Sequence, residues 1–296
     1  MDSKPDIYFV GGPTASGKTA RALELAVKLH GIVINADAMQ VYRGLPILTA
    51  QPTTEEKAQA PHRLFEIFDP TESGSAGRWA VLAREEIAQA CAQGQAPIVV
   101  GGTGLYFAAL LGKLADIPPI PQEVHDEAVE LYEALGHDAF RVRLSVMDEE
   151  STTRIKPNDR QRLIRAYEVV NHTCKTLGYW QRSSAGKSLA HTHTIHTELL
   201  MPPRDDLYAR CDARFLKMVE RGALDEVQTL LTLNLDADKP AMKILGVPEL
   251  AKYLRRACSL DDAIAAAQQA TRNYAKRQVT WFKNQWGGQE KVNPMQ

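Results

Sequence analysis

Short apolar runs alternate with longer amphipathic stretches along the first third of the chain. Ile7-Tyr8-Phe9-Val10 precedes a helical period from Ala20 to Leu29, and Gly31-Ile32-Val33-Ile34-Asn35 follows it. Leu64-Phe65-Glu66-Ile67-Phe68 reads as a third strand, Ala80 to Ala92 as a helix, and Ala96-Pro97-Ile98-Val99-Val100 as a further strand. Runs this short and apolar throughout suit strands buried on both faces of a parallel sheet, with helices as crossovers. The texture changes near Asp116, where Ile117-Pro118-Pro119-Ile120-Pro121 makes a stiff linker. Helical periods then cover Glu123 to Leu135, a stretch after Gly136, and another after Asp159. A strand over Thr197 to Met201 returns to the sheet. It is followed by helices over Asp206 to Gly222 and Asp225 to Leu233, a glycine turn at Lys243 to Leu250, and a long helix from about Asp261 to Trp286. The pattern predicts an α/β core from residues 1–116 and 196–296, interrupted by a mainly helical insertion at 117–195. The tail from Gly287 is expected to fray.

At 296 residues the chain is long enough for a core and a smaller unit. A net charge of −1 confines any nucleic-acid surface to a local patch. Cys91, Cys174, Cys211 and Cys258 are far apart and form no CxxC pair, as expected of reduced thiols in a cytoplasmic protein. The N-terminus leads almost directly into the first strand, leaving no room for a signal peptide. No apolar run approaches the ~20 residues of a membrane helix, so no membrane partner is expected. No helix stands out as a pairing surface, which favours a monomer.

The candidate chemistry begins between the first strand and first helix. Gly11-Gly12-Pro13-Thr14-Ala15-Ser16-Gly17-Lys18-Thr19 has the glycines, lysine and hydroxyl of a phosphate-binding P-loop in the strand–turn–helix context it needs. Backbone N–H groups and the helix N-terminus attract an anion, Lys18 adds an ammonium, and Thr19 is a ligand suited to Mg²⁺. The loop reads phosphate and is silent on what the phosphate carries. Asp37 stands just past the second strand, where open parallel sheets build active sites. It reads equally as a base or metal partner and as a helix N-cap. Gly101-Gly102-Thr103-Gly104 is a second glycine-rich turn facing the same crevice. Thr103 offers a hydroxyl there, or simply closes a tight turn. No acid follows this strand, which counts against a motor ATPase.

Basic residues cluster on three helices. Arg160, Arg162 and Arg165 form either a contact face or a solvated one. Arg210, Arg214, Lys217 and Arg221 repeat at spacings of 4, 3 and 4 and suggest phosphate contact. The last helix interleaves cations with aromatics, which fits either an RNA-facing surface or an amphipathic helix packed on the core. His191, His193 and His196 lie in a polar stretch, the first two on one side of a strand, and read as surface histidines with no matching metal ligands.

Taken together, GPTASGKT at Gly12 to Thr19, ADAMQVYRG at Ala36 to Gly44, GGTGLY at Gly101 to Tyr106, PNDRQRLIRAYEV at Pro157 to Val169, KILG at Lys243 to Gly246 and TRNYAKRQVTWF at Thr271 to Phe282 closely resemble the bacterial tRNA dimethylallyltransferases over nearly the whole chain. The resemblance implies a P-loop kinase-like parallel sheet flanked by helices, with a helical insertion that grips the anticodon stem-loop. It implies transfer of the dimethylallyl group from dimethylallyl pyrophosphate to the exocyclic amine of the adenosine 3′ of the anticodon, with Mg²⁺ as cofactor. The residues Gly12, Pro13, Thr14, Ala15, Ser16, Gly17, Lys18 and Thr19 would then hold pyrophosphate, not ATP. Asp37 matches the family's base, Thr103 a threonine near the reaction centre, and Arg210 an arginine near the pyrophosphate. Asp37, Ala38, Met39, Gln40 and Thr103 match the segment receiving the flipped adenosine. Gln161, Arg162, Leu163, Ile164 and Arg165, and Lys243, Ile244, Leu245, Gly246, Val247 and Pro248, match further tRNA contacts. Three residues depart from the pattern: Leu48 and Gln51 stand where many members carry Gly and Lys, and Val247 where Tyr is frequent. The competing readings are a small-molecule kinase, an adenylate isopentenyltransferase and an RNA-binding module with a structural P-loop. The arginines at 160–165 and in the last helix favour an RNA acceptor.

Overall fold

In the computed structural model, which describes residues 4–183, 188–286 and 291–292, the chain opens with strands and helices in strict alternation. These are β1 (Asp6–Gly11), α1 (Lys18–Leu29), β2 (Ile32–Asn35), α2 (Thr54–Gln59), β3 (His62–Arg63), α3 (Ala76–Ala92), β4 (Pro97–Gly101) and α4 (Gly104–Leu110). A helical segment follows: α5 (Gln122–Met147), α6 (Glu149–Arg154), α7 (Arg160–Thr173) and α8 (Leu177–Ser183). The chain then adds β5 (Thr194–Leu200), α9 (Arg204–Glu220), α10 (Ala223–Thr232), α11 (Val247–Leu254), α12 (Leu260–Gln285) and the two-residue β6 (Lys291–Val292).

The six strands form one parallel sheet in the order β3-β2-β4-β1-β5-β6. Every residue of β2 and β4 is buried, as expected of central parallel strands covered on both faces. Register pairs Gly11 with Gly101 and Asn35 with Val100. The loops leaving β1, β2 and β4 therefore emerge together at the carboxyl edge, where such sheets place ligands. Gly101 permits this closeness: a Cβ there would lie 2.0 Å from the Ala36 carbonyl oxygen.

Three sequence-based expectations need correction. Leu64 to Phe68 is not a strand. Leu64 and Glu66 adopt left-handed backbone (φ 63° and 54°), and only His62–Arg63 pairs with β2. The expected placement of His191 and His193 on one side of a strand also fails. His191 closes a single 3₁₀ turn, and β5 begins at Thr194. The tail was expected to fray from Gly287, yet Lys291–Val292 pairs with β5; its other residues lie outside those described.

The chain divides into two compact units, residues 1–110 with 192–296, and residues 111–191. The smaller has its own core, in which Phe140 and Leu144 of α5 meet Leu163, Ala166 and Tyr167 of α7. Its first helix breaks at Gly136 (φ 75°, ψ 170°), and Asp159 caps α7 through the Arg162 N–H. In the larger unit α12 packs against α4, α9 and α11. Its inward face carries Ala263, Ala267, Thr271, Ala275, Gln278 and Phe282. The aromatic side chains Phe282 and Trp286 join Phe9 and Phe107 in the core. This is the packed amphipathic arrangement of the two weighed for α12.

Candidate active site

The loop after β1 takes the conformation of an anion cradle. Ala15 (φ 63°) and Gly17 (φ 91°) are left-handed, which turns successive N–H groups toward one side ahead of α1. Lys18 is the first residue of α1, and its ammonium donates to the Pro13 carbonyl at 3.2 Å. Burial pulls its pKa down to about 8; Asp37 opposes the shift and Arg214 adds to it. Burial likewise lowers the pKa of Arg214, whose guanidinium donates to the Thr14 hydroxyl. Two cations thus converge on one crevice with Asp37 as the nearby acid, an arrangement that a polyanion would relieve.

Across from them, Asp37 is held by its own loop. Its N–H donates to Asn35 Oδ1 at 2.9 Å, and its Oδ1 accepts from the Met39 N–H at 3.0 Å. Asn35 is fully buried, donates to the Leu64 carbonyl and accepts through its own carbonyl from Trp79 Nε1. No helix follows Asp37, so its contact to Met39 is a local turn, not a helix cap. Thr103 Oγ1 accepts from the Ala38 N–H at 2.8 Å. The phenol of Tyr274 is pushed up, first by burial and then by Asp37.

Several of these groups line one open cleft, with Lys18 beside it in charge range of Asp37 and Arg214. Thr14, Asp37, Arg214 and Tyr274 supply its polar wall. Met39, Leu48, Phe215, Met218 and Leu245 supply an apolar one. A phosphate end beside an apolar end is a shape for an amphiphilic small molecule.

Not every residue expected at the site is presented there. The α9 arginine on the cleft is Arg214; Arg210, one turn earlier, does not line it. Gln40 spends its amide on the carbonyls of Thr49 and Ala50, at 2.9 and 2.8 Å, bracing the following loop. In the smaller unit Leu163 and Ile164 are core residues and cannot offer side chains to RNA. Gln161, Arg162 and Arg165 are exposed, with Arg162 paired to Asp159 and Arg165 to Glu168. Around α11, Ile244 and Val247 are buried, Leu245 lines the cleft, Gly246 (φ 90°) starts the helix, Lys243 pairs with Asp238 and Pro248 is exposed. Gln51 donates to the Tyr42 carbonyl at 3.0 Å as a buried brace, and Leu48 is part of the cleft wall. Thr271, Tyr274 and Gln278 were missed. Their signal was available: Thr271 and Gln278 are the polar members of an otherwise apolar inward stripe on α12.

The parallel sheet, the glycine loop entering α1 and the cationic cleft at its carboxyl edge define an α/β protein of the P-loop class. Residues 40–285 match the family model described as IPP transferase, and the chain belongs to that family. It is 51% identical to a tRNA dimethylallyltransferase of Rhodospirillum centenum, over 99% of this chain and 93% of the relative. It is 49% identical to one of Phenylobacterium zucineum, over 96% and 92%. Among solved structures it resembles a eukaryotic dimethylallyltransferase acting on tRNA, with TM-score 0.85, 27% identity and coverage of 98% of this chain and 74% of the other. It also resembles the tRNA isopentenylpyrophosphate transferase of Bacillus halodurans, with TM-score 0.69, 33% identity and coverage of 98% and 90%.

Proposed function

We propose that this chain transfers a dimethylallyl group from dimethylallyl pyrophosphate to the exocyclic amine of the adenosine 3′ of a tRNA anticodon, releasing pyrophosphate. The observation that carries the reading is one cleft lined by Arg214 and Asp37 beside an apolar wall, with the Lys18 ammonium close enough to interact with both. The cations suit the diphosphate, the wall suits the branched hydrocarbon, and the acid suits the incoming amine. Adenine's amino group is a poor nucleophile because its lone pair is delocalised, and it reaches a protein pocket only after leaving the base stack. Asp37, already fixed at one oxygen by the Met39 N–H, orients the amine and accepts its proton as the C–N bond forms. Lys18 and Arg214 stabilise charge gathering on the departing diphosphate, a contribution that grows as the allylic C–O bond breaks.

Magnesium fits this site as a companion of the substrate. Among the described residues no three His, Cys, Asp or Glu side chains cluster as a metal site. The ion would be held by Thr19 and phosphate oxygens, in keeping with its preference for few protein ligands. Bound there, it would neutralise leaving-group charge. The reading includes a cytoplasmic monomer; among the described residues no helix is long and apolar enough to cross a membrane. Light scattering tests the monomer. Labelled dimethylallyl pyrophosphate with an unmodified anticodon hairpin, against AMP and ATP controls, tests the reaction. Label in the hairpin alone is the expected result. Label in AMP, or phosphoryl transfer from ATP with an unlabelled hairpin, would overturn the reading.

A further inference from the structure

Gln278 is a buried amide placed between the two glycine-rich loops of the site. It is 5% exposed and sits on the inward face of α12. Its Oε1 accepts from the Thr14 N–H at 2.8 Å, and its Nε2 donates to the Gly102 carbonyl at 2.8 Å. One side chain therefore spans the cradle after β1 and the turn after β4. Both anchors adjoin site residues: the Thr14 hydroxyl accepts from Arg214, and Thr103, which follows Gly102, accepts from the Ala38 N–H. Gly102 is shaped to receive the amide, since a Cβ there would lie 2.1 Å from Gln278 Nε2.

We propose that Gln278 is a positioning residue that sets the separation between the diphosphate cradle and the Thr103 turn, and so couples donor binding to the acceptor side. The proposal rests on the functional reading above. Both halves of the amide are needed, one accepting and one donating, and only a neutral group of this shape supplies both. A buried carboxylate would accept from Thr14 but repel the Gly102 carbonyl. Once protonated, it would again donate to Gly102.

The test uses Gln278→Met, which keeps the length and removes both bonds, and Gln278→Glu, which makes the donor conditional on pH. For Gln278→Met we expect KM for dimethylallyl pyrophosphate and the calorimetric Kd for inorganic pyrophosphate to rise about tenfold, with a fall in kcat. For Gln278→Glu we expect kcat/KM relative to wild type to recover about tenfold as pH falls from about 8.5 to about 5.5, the protonated form being the competent one. Lys18, Arg214, Cys211 and Tyr274 lie at or beside the same crevice in both proteins, and dividing by wild type removes the pH dependence that the two share. A purely packing role would lower Tm while leaving KM and the pH ratio unmoved. Wild-type KM and Kd in Gln278→Met, or a flat ratio in Gln278→Glu, would overturn the proposal. Should Gln278→Met fail to fold, the pH ratio alone decides. Pyrophosphate binding is read without prenyl transfer, so an inactive wild type would sink the functional reading and leave this test standing.

Discussion

Asp37 and Lys18 carry opposite charges in one crevice, and their substitutions should fail in different ways. Asp37→Asn keeps the Met39 N–H bond and loses the base. We expect kcat to fall by about 10²–10⁴, with hairpin affinity changed far less. A variant within threefold of wild-type kcat, on the order of 0.7 kcal/mol, would remove Asp37 from the chemistry. Lys18 gives a pH signature. Its pKa near 8 leaves the ammonium charged below that pH and lost above it. An anion favours the charged form, so donor bound above about pH 8 must take up a proton, and its affinity should fall about tenfold per unit there. Calorimetry in buffers of different ionisation enthalpy reads the proton directly. Flat affinity from about pH 7 to 10, without proton uptake, would separate Lys18 from the diphosphate.

At the scale of elements, the cleft wall depends on a carboxylate far away in sequence. Glu226 of α10 accepts from the N–H groups of Ile47 and Leu48, at 2.6 and 2.9 Å, pinning the turn that supplies Leu48. Glu226→Gln offers one oxygen for two donors and leaves one N–H stranded, at a cost of about 1–3 kcal/mol. Tm should drop by about 2–4 °C per kcal/mol and KM for the donor should rise; unaltered values of both would make the contact incidental. This dependence could not be read from the sequence, because nothing local to Ile47 or Glu226 announces a partner some 180 positions away. What could be read was local and periodic: β1, β2, β4, the long helices, the break at Gly136 and the cap at Asp159. Leu64 to Phe68 misled because its composition is that of a strand while the backbone turns left-handed at Leu64 and Glu66. On α9 the period was right and the phase was not resolved. Arg214 stands three residues after Cys211 and four before Met218, on the edge of the inward face, and only tertiary packing distinguishes it from Arg210.

At the scale of the whole molecule, the two units carry candidate residues whose roles measurements can separate. Every cleft residue belongs to the larger unit, whereas Arg162 belongs to the smaller, which has its own hydrophobic core. The Arg162 side chain is 73% exposed, and its pair with Asp159 is a surface one, worth about 0–1 kcal/mol to folding. Alanine at this position keeps the backbone N–H that Asp159 caps, so Tm should hardly move. If α7 contacts the phosphates of the acceptor, Arg162→Ala should weaken hairpin binding severalfold and lower the salt slope by about one. If Arg162 and the cleft act independently their effects add, so the Kd for dimethylallyl pyrophosphate should stay within about 0.5 kcal/mol of wild type. The double variant Arg162→Ala with Asp37→Asn should then lose the sum of the two single effects on kcat/KM. An unchanged salt slope would return Arg162 to a solvated surface, and a shifted donor affinity would mean that the insertion reaches the diphosphate cradle energetically.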